Sequence, residues 1–304
     1  MRVLTAHPFP GPAWAELEDV VYAEPAELQT AREDVEVLVV AGERVDGELL
    51  DRLPNLRLVA NYGVGYDRVD VAECRRRGIA VSNTPGVLDA AVADLAFGLI
   101  LAARREIVAG DRAIRRRAWK RGWSQARLAE DVSGATLGIV GLGRIGSAVA
   151  RRADAFDMRV LFTRRRTRPV TATYEARTLD ELLRESEIVS IHVPLTPQTR
   201  GLIDAHRLAL LRDGACLVNT ARGEIVDQEA LVRELVSGRI CAGLDVFAGE
   251  PDVPGELLGL DNAVLTPHIA SATTSAREAM TRLVVDNILA LERDEPLLTP
   301  VEDG

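Results

Sequence analysis

Short apolar, β-branched runs alternate with helical patterns along nearly the whole chain. Strand-like runs fall at 1–6, 35–41, 56–61 and 79–82, with helical periodicity at 46–52 and 68–77 between them. A long apolar helix is predicted over 89–105, continuing brokenly to 117, followed by a polar stretch at 119–131 that carries Trp119 and Trp123. A second series then begins, with strands predicted at 136–140, 159–163, 188–193, 215–220, 242–246 and 263–266 and a last helix over 274–293. Strands that alternate with helices and read as continuous apolar runs are those of parallel sheets covered on both faces. The fold class expected is therefore α/β, with two doubly wound parallel-sheet domains. The last helix follows a completed second sheet, so it is expected to return to the first domain. The expected boundaries are 1–93 with 272–304 for one domain and 94–271 for the other.

Between the strand at 136–140 and the helical run from Ser147 lies Gly141-Leu142-Gly143-Arg144-Ile145-Gly146. Glycine at these spacings, between a strand and a helix, is the turn that binds a dinucleotide. Gly141 would make the tight bend, Gly143 would let the backbone approach a pyrophosphate, and Gly146 would allow close helix–strand packing. The helix N-terminus offers N–H groups to the anion.

Composition narrows the partners. With 304 residues, 47% apolar and 27% charged, the chain has the make-up of a globular protein with a substantial core. A net charge of −9 argues against nucleic acid or an anionic membrane as the main partner. The apolar run near 95–103 is too short to span a bilayer, and no signal-peptide core precedes it. Cys74, Cys216 and Cys241 are too scattered for a disulfide framework, which fits a reducing, cytoplasmic setting. The four histidines show no ligand spacing, so no metal is expected.

Three residues follow strands at the carboxyl edge where such sheets bind ligands: Arg222, Glu250 and His268. A guanidinium grips a carboxylate and polarises the neighbouring carbonyl. An imidazole delivers a proton near neutral pH, and an adjacent carboxylate orients it. Together they suit reduction of a 2-oxo acid by a nicotinamide. The residue after the second strand of a nucleotide fold selects the cofactor, an acid favouring NAD and an arginine NADP. Here Thr163-Arg164-Arg165 stands at that point, so Thr163, Arg164 and Arg165 are expected around a 2′-phosphate, with NADP(H) preferred and NAD(H) possible.

The ordered segments Asn61 to Asp67, Asn83 to Leu88, Gly141 to Gly146, His192 to Pro197, Asn219 to Gly223, Gly243 to Pro251 and Thr266-Pro267-His268 resemble the D-isomer-specific 2-hydroxyacid dehydrogenases over nearly the full length. The resemblance implies a flavodoxin-like substrate domain and a Rossmann coenzyme domain. It implies Arg222 as carboxylate anchor, His268 as acid/base, Glu250 as its partner, and the Val64-Gly65 backbone as a second carboxylate contact. Asp245 would hold the nicotinamide carboxamide, Val193 and Pro194 would line the cofactor site, and Thr220 and Ala221 would lie near the nicotinamide. Arg144 and Ile145 complete the phosphate turn. The Ala155-Phe156 helix end, the 249–254 segment and the 296–301 tail are similar to those of glyoxylate/hydroxypyruvate and hydroxyphenylpyruvate reductases. The expected reaction is NADPH-dependent reduction of glyoxylate or hydroxypyruvate to the D-2-hydroxy acid. The alternatives are a hydroxyphenylpyruvate reductase, a D-3-phosphoglycerate dehydrogenase and a corepressor-like nucleotide-gated binding module. A homodimer is implied, and the helix over 89–117 with Trp119 and Trp123 is its expected surface.

Overall fold

The computed structural model describes all residues except 25–27, 29, 31, 120–127, 165–172 and 303–304. It divides into two units, one formed by 1–88 with 271–304 and the other by 89–270. Among the described residues every strand pair in either sheet is parallel.

The first unit contains β1 (Val3–Thr5), β2 (Val20–Tyr22), β3 (Val37–Val40), β4 (Leu58–Asn61) and β5 (Ala80–Ser82), in the order β2-β1-β3-β4-β5. This is the flavodoxin-like strand order. β3 and β4 lie inside the sheet, and Val37 to Val40 are fully buried, as a continuous apolar run in a covered sheet should be. The helices α1 (Gly47–Asp51) and α2 (Val71–Arg76) start at Asp46 and Asp70, whose carboxylates accept from the Leu49 and Glu73 N–H groups. Such caps satisfy backbone donors that the first helical turn leaves unpaired, worth about 1 kcal/mol each.

The second unit starts with α3 (Asp89–Arg104) and α4 (Ile107–Arg115). The break between them falls at Glu106, which has a left-handed φ of 51°. α3 is buried along Val92, Ala93, Ala96, Phe97, Leu99 and Ile100, whereas α4 buries no residue. Then follow β6 (Thr136–Val140), α5 (Arg144–Asp154), β7 (Arg159–Thr163), β8 (Glu175–Ala176), α6 (Leu179–Glu185), β9 (Ile188–Ile191) and α7 (Ala205–Ala209). The series closes with β10 (Cys216–Asn219), α8 (Gln228–Val236), β11 (Cys241–Leu244), α9 (Gly255–Leu258) and β12 (Ala263–Leu265). The sheet order is β12-β11-β10-β9-β6-β7-β8, a Rossmann arrangement extended by one strand. α3 lies against β10 and β11 so closely that a Cβ on Gly243 would come 2.7 Å from the Leu99 Cβ. The final helix, α10 (Thr274–Glu292), packs on β4 in the first unit. Among the described residues no helix is long and apolar enough to cross a membrane.

The strands β2 and β8 have no counterpart in the sequence pattern. Each is an edge strand of two or three residues with at least one exposed position, too short for either periodicity to register.

Candidate active site

The dinucleotide turn follows β6, the strand between β9 and β7. Gly141 has φ 101°, and a Cβ there would sit 2.6 Å from the His192 carbonyl oxygen and 2.7 Å from Val193 Cγ1. Gly146 is buried, and a Cβ on it would lie 2.2 Å from the Gly141 carbonyl oxygen and 3.1 Å from Ile139 Cγ2. Both positions therefore require glycine, one for the bend and one for helix-on-strand packing. Gly143 differs: it is exposed, nothing among the described residues lies within 4 Å of the place of a Cβ, and it caps α5 without a side-chain hydrogen bond. That surface leaves the first N–H groups of α5 open to a phosphate. The Thr163 carbonyl accepts from the Gly141 N–H at 2.9 Å, which sets the end of β7 beside the turn. Arg164 follows, with its guanidinium 5.2 Å from the centre of the Phe162 ring. Arg165 and Trp123 lie outside the described residues. After β10, Thr220 Oγ1 is buried without a hydrogen-bond partner among the described residues. An open helix N-terminus, an arginine after β7 and an orphaned hydroxyl together fit a phosphate-bearing dinucleotide.

Arg222, Glu250 and His268 follow β10, β11 and β12, three neighbouring strands, at the carboxyl edge of this sheet. Asn219 shapes the first loop: its Nδ2 donates to the Arg222 carbonyl at 2.8 Å and its Oδ1 accepts from the Ala221 N–H at 3.0 Å. Next to Arg222, Gly223 lies so close to the following loop that a Cβ would be 2.0 Å from the Phe247 carbonyl carbon. Only glycine permits that approach, which brings the loops after β10 and β11 together.

Glu250 uses both oxygens. Oε1 accepts from the Phe247 N–H at 2.9 Å and Oε2 lies 2.8 Å from His268 Nδ1. Burial pushes the Glu250 carboxyl up, but the hydrogen bonds from His268 and Phe247, with the charges of His268 and Arg222, hold it below its ordinary value. With Nδ1 engaged, the half-exposed His268 ring keeps Nε2 for another partner.

Asp245 explains how His268 is held. It has no accessible surface, and Oδ1 accepts from Thr266 Oγ1 at 2.7 Å and from the Ile269 N–H at 2.8 Å. Oδ2 accepts from the Ala270 N–H at 2.9 Å, and the Asp245 carbonyl accepts from the His268 N–H at 2.9 Å. His268 has a left-handed φ of 52°, which these bonds impose from both sides. Nearby, burial pushes His192 down to about 4, so its ring, 2.8 Å from Ser190 Oγ, is neutral at physiological pH.

In the first unit, Val64 and Gly65 lie beyond β4. Asn61 Nδ2 donates to the Gly63 and Gly65 carbonyls at 2.9 and 3.1 Å, and Asn83 Nδ2 donates to the Val64 carbonyl at 2.9 Å. With its carbonyls occupied, the loop leaves the Val64 and Gly65 N–H groups without a partner among the described residues. The sequence reading gave Asn61 and Asn83 no role. The signal was present, an asparagine ending a strand just before a glycine-rich loop, but its hydrogen bonds become visible only once the loop has folded.

A family model described as the D-isomer specific 2-hydroxyacid dehydrogenase NAD binding domain matches residues 97–270. The chain belongs to the D-isomer-specific 2-hydroxyacid dehydrogenase family. It is an NAD(P)-dependent oxidoreductase. It is 50% identical over 271 residues to a glyoxylate reductase of Pyrococcus furiosus, covering 86% of this chain and 81% of that one. A solved NADPH-dependent glyoxylate/hydroxypyruvate reductase of Sinorhizobium meliloti, in complex with NADP and malonate, superposes with a TM-score of 0.90 at 37% identity. That match covers 99% of this chain and 96% of the other. A Thermus thermophilus protein of solved structure gives a TM-score of 0.92 at 43% identity, covering 99% of this chain and all of that one.

The Glu250 geometry sets a pH dependence for this family member. Because the folded carboxyl is held below its ordinary value near 4.5, it favours the folded state above that value. The contribution is lost as pH falls through the lower folded value. Melting curves of wild type and Glu250→Gln between about pH 7 and pH 3 are expected to converge on acidification. A constant gap in Tm across that range would contradict the assignment.

Proposed function

We propose that this dehydrogenase reduces glyoxylate or hydroxypyruvate to the corresponding D-2-hydroxy acid with NADPH. The observation that carries the reading is the His268–Glu250 pair, at 2.8 Å, on the strand edge that also bears Arg222. The 50% identity to a glyoxylate reductase supports the substrate class. Arg222 binds the carboxylate of the 2-oxo acid through its planar guanidinium and draws electron density from the adjacent carbonyl. The Val64 and Gly65 N–H groups are further donors for a carboxylate.

When bound, the nicotinamide supplies the hydride. His268 holds a proton at Nε2 and gives it to the developing alkoxide oxygen. Glu250 fixes the ring through Nδ1 and stabilises the charged imidazole before transfer. Asp245 keeps the His268 loop in place through its bonds to Thr266, Ile269 and Ala270. Gly141, Gly143, Arg144, Ile145 and Gly146 hold the pyrophosphate. Val193, Pro194, Thr220 and Ala221 would line the nicotinamide side, and Thr220 Oγ1, which has no partner among the described residues, would offer a polar group there.

NADPH preference rests on Arg164, the first residue beyond β7, with Thr163 and Arg165 as neighbours. A cytoplasmic setting is supported by three free thiols. A homodimer is supported by α4, which buries none of its residues and leaves Ile107 and Ile114 each 55% exposed, with Trp119 nearby at 66%.

Four outcomes test this. Oxidation of NADPH is expected with glyoxylate or hydroxypyruvate in preference to phenylpyruvate, 4-hydroxyphenylpyruvate and 3-phosphohydroxypyruvate. His268→Ala should lower kcat by about 10²–10⁴-fold while leaving cofactor binding intact; undiminished turnover would remove His268 from the mechanism. Arg164→Asp should reverse or erase the NADPH/NADH ratio of kcat/KM, and an unchanged ratio would end the case for Arg164. Sedimentation of the Ile107→Glu, Ile114→Glu double variant should show monomer where wild type shows dimer; two dimers, or two monomers, would reject α4 as the interface.

A further inference from the structure

Cys216 opens β10 and Cys241 opens β11, at the edge of the sheet opposite Arg222 and His268. The strands pair in parallel with Cys216 directly across from Cys241. Partners in adjacent strands send their side chains to the same face from Cα atoms about 4.8 Å apart. That separation falls within the span of roughly 4.4–6.8 Å that a disulfide bridges.

A buried cation stands beside the pair. Arg104, at the end of α3, is 5% exposed and donates to the Gly214 carbonyl at 3.1 Å and the Asp131 carbonyl at 2.9 Å. Its Nε is buried without a hydrogen-bond partner among the described residues, and its charge acts on both sulfurs. Cys216 is fully buried and Cys241 is partly exposed. The third cysteine, Cys74, is buried in the other unit. The reductase chemistry uses none of these groups.

We propose that Cys216 and Cys241 form a reversible oxidation site, closed to a disulfide by a hydroperoxide and reopened by a dithiol. The Cys216 thiol facing it in register and the Arg104 charge favour the Cys241 thiolate, and its thiol lies below its ordinary value. Cys216 is pushed up by its Cys241 neighbour and by burial. Cys241 is thus the attacking sulfur. It takes one oxygen of hydrogen peroxide, the O–O bond breaks, and hydroxide leaves as water after gaining a proton. The Cys216 sulfur then attacks the Cys241 sulfenic acid, the S–S bond forms, and the S–O bond breaks. The released hydroxide takes the Cys216 proton as a second water. The two sulfurs are oxidised by two electrons in all, and the peroxide is reduced to two waters.

The test treats the full-length protein with a small excess of hydrogen peroxide, then counts thiols in denaturant and maps peptides. The titre is expected to fall from three per chain to one, with a Cys216–Cys241 linked peptide, and dithiothreitol should restore all three. Closing the crosslink should raise Tm by roughly 5–10 °C. Cys74→Ser should still lose two thiols, and Cys241→Ser should form no intramolecular link. A wild-type titre that stays at three would overturn the proposal. So would Cys241 accumulating as sulfinic acid while Cys216 remains free. Both readouts on the wild-type chain stand whether or not a variant folds.

Discussion

The buried carboxylate of Asp245 organises the catalytic edge of the second unit. A charge with no accessible surface is strongly unfavourable unless donors surround it. Here the donors are the Thr266 hydroxyl and the N–H groups of Ile269 and Ala270, on either side of His268. Satisfying the charge therefore requires the chain after β12 to fold back over β11, and His268 takes a left-handed backbone to do so. Such a conformation costs on the order of 1–3 kcal/mol for a residue other than glycine. The same bonds that relieve Asp245 offset it. The imidazole is then fixed twice, through its backbone by Asp245 and through Nδ1 by Glu250.

Glycine is the complementary device, supplying closeness where aspartate supplies attraction. Gly223 allows the loop after β10 to meet the Phe247–Ala248 backbone, which sets Arg222 next to the Glu250 arm. In the dinucleotide turn the three glycines answer three different demands. Gly141 is required by backbone angle and by His192, Gly146 by the Gly141 carbonyl, and Gly143 by nothing among the described residues. Gly143 stands at the start of α5, whose N-cap has no side-chain hydrogen bond.

Much of this was legible from residue order alone. Interior strands such as β3, β6 and β10 are buried on both faces, so their apolar runs carry the signal undiluted. The break after α3 was legible as a change of pattern, and the structure puts it at Glu106. That Arg222, Glu250 and His268 share one sheet edge was legible because strand order places their loops side by side. Roles that depend on a partner far along the chain were less legible. Asp245 reads as one acid after a strand, and its hold on residues 266–270 exists only after β11 and β12 pair. Asn61 and Asn83 likewise act through loop carbonyls whose direction no periodicity encodes.

The two ends of β10 and β11 carry different chemistry for a physical reason. In a parallel sheet the carboxyl ends of the strands feed loops that are free to vary, and there the ligand-binding groups collect. The amino ends are covered by helix, here by α3 with Arg104 folded beneath it. Such covered ground usually holds inert side chains. Two thiols in direct register, one of them partly exposed, depart from that rule. Rigid pairing across four residues of each strand separates this dithiol from Asn219 and Leu244, so its oxidation state can change at one edge while the other keeps its geometry.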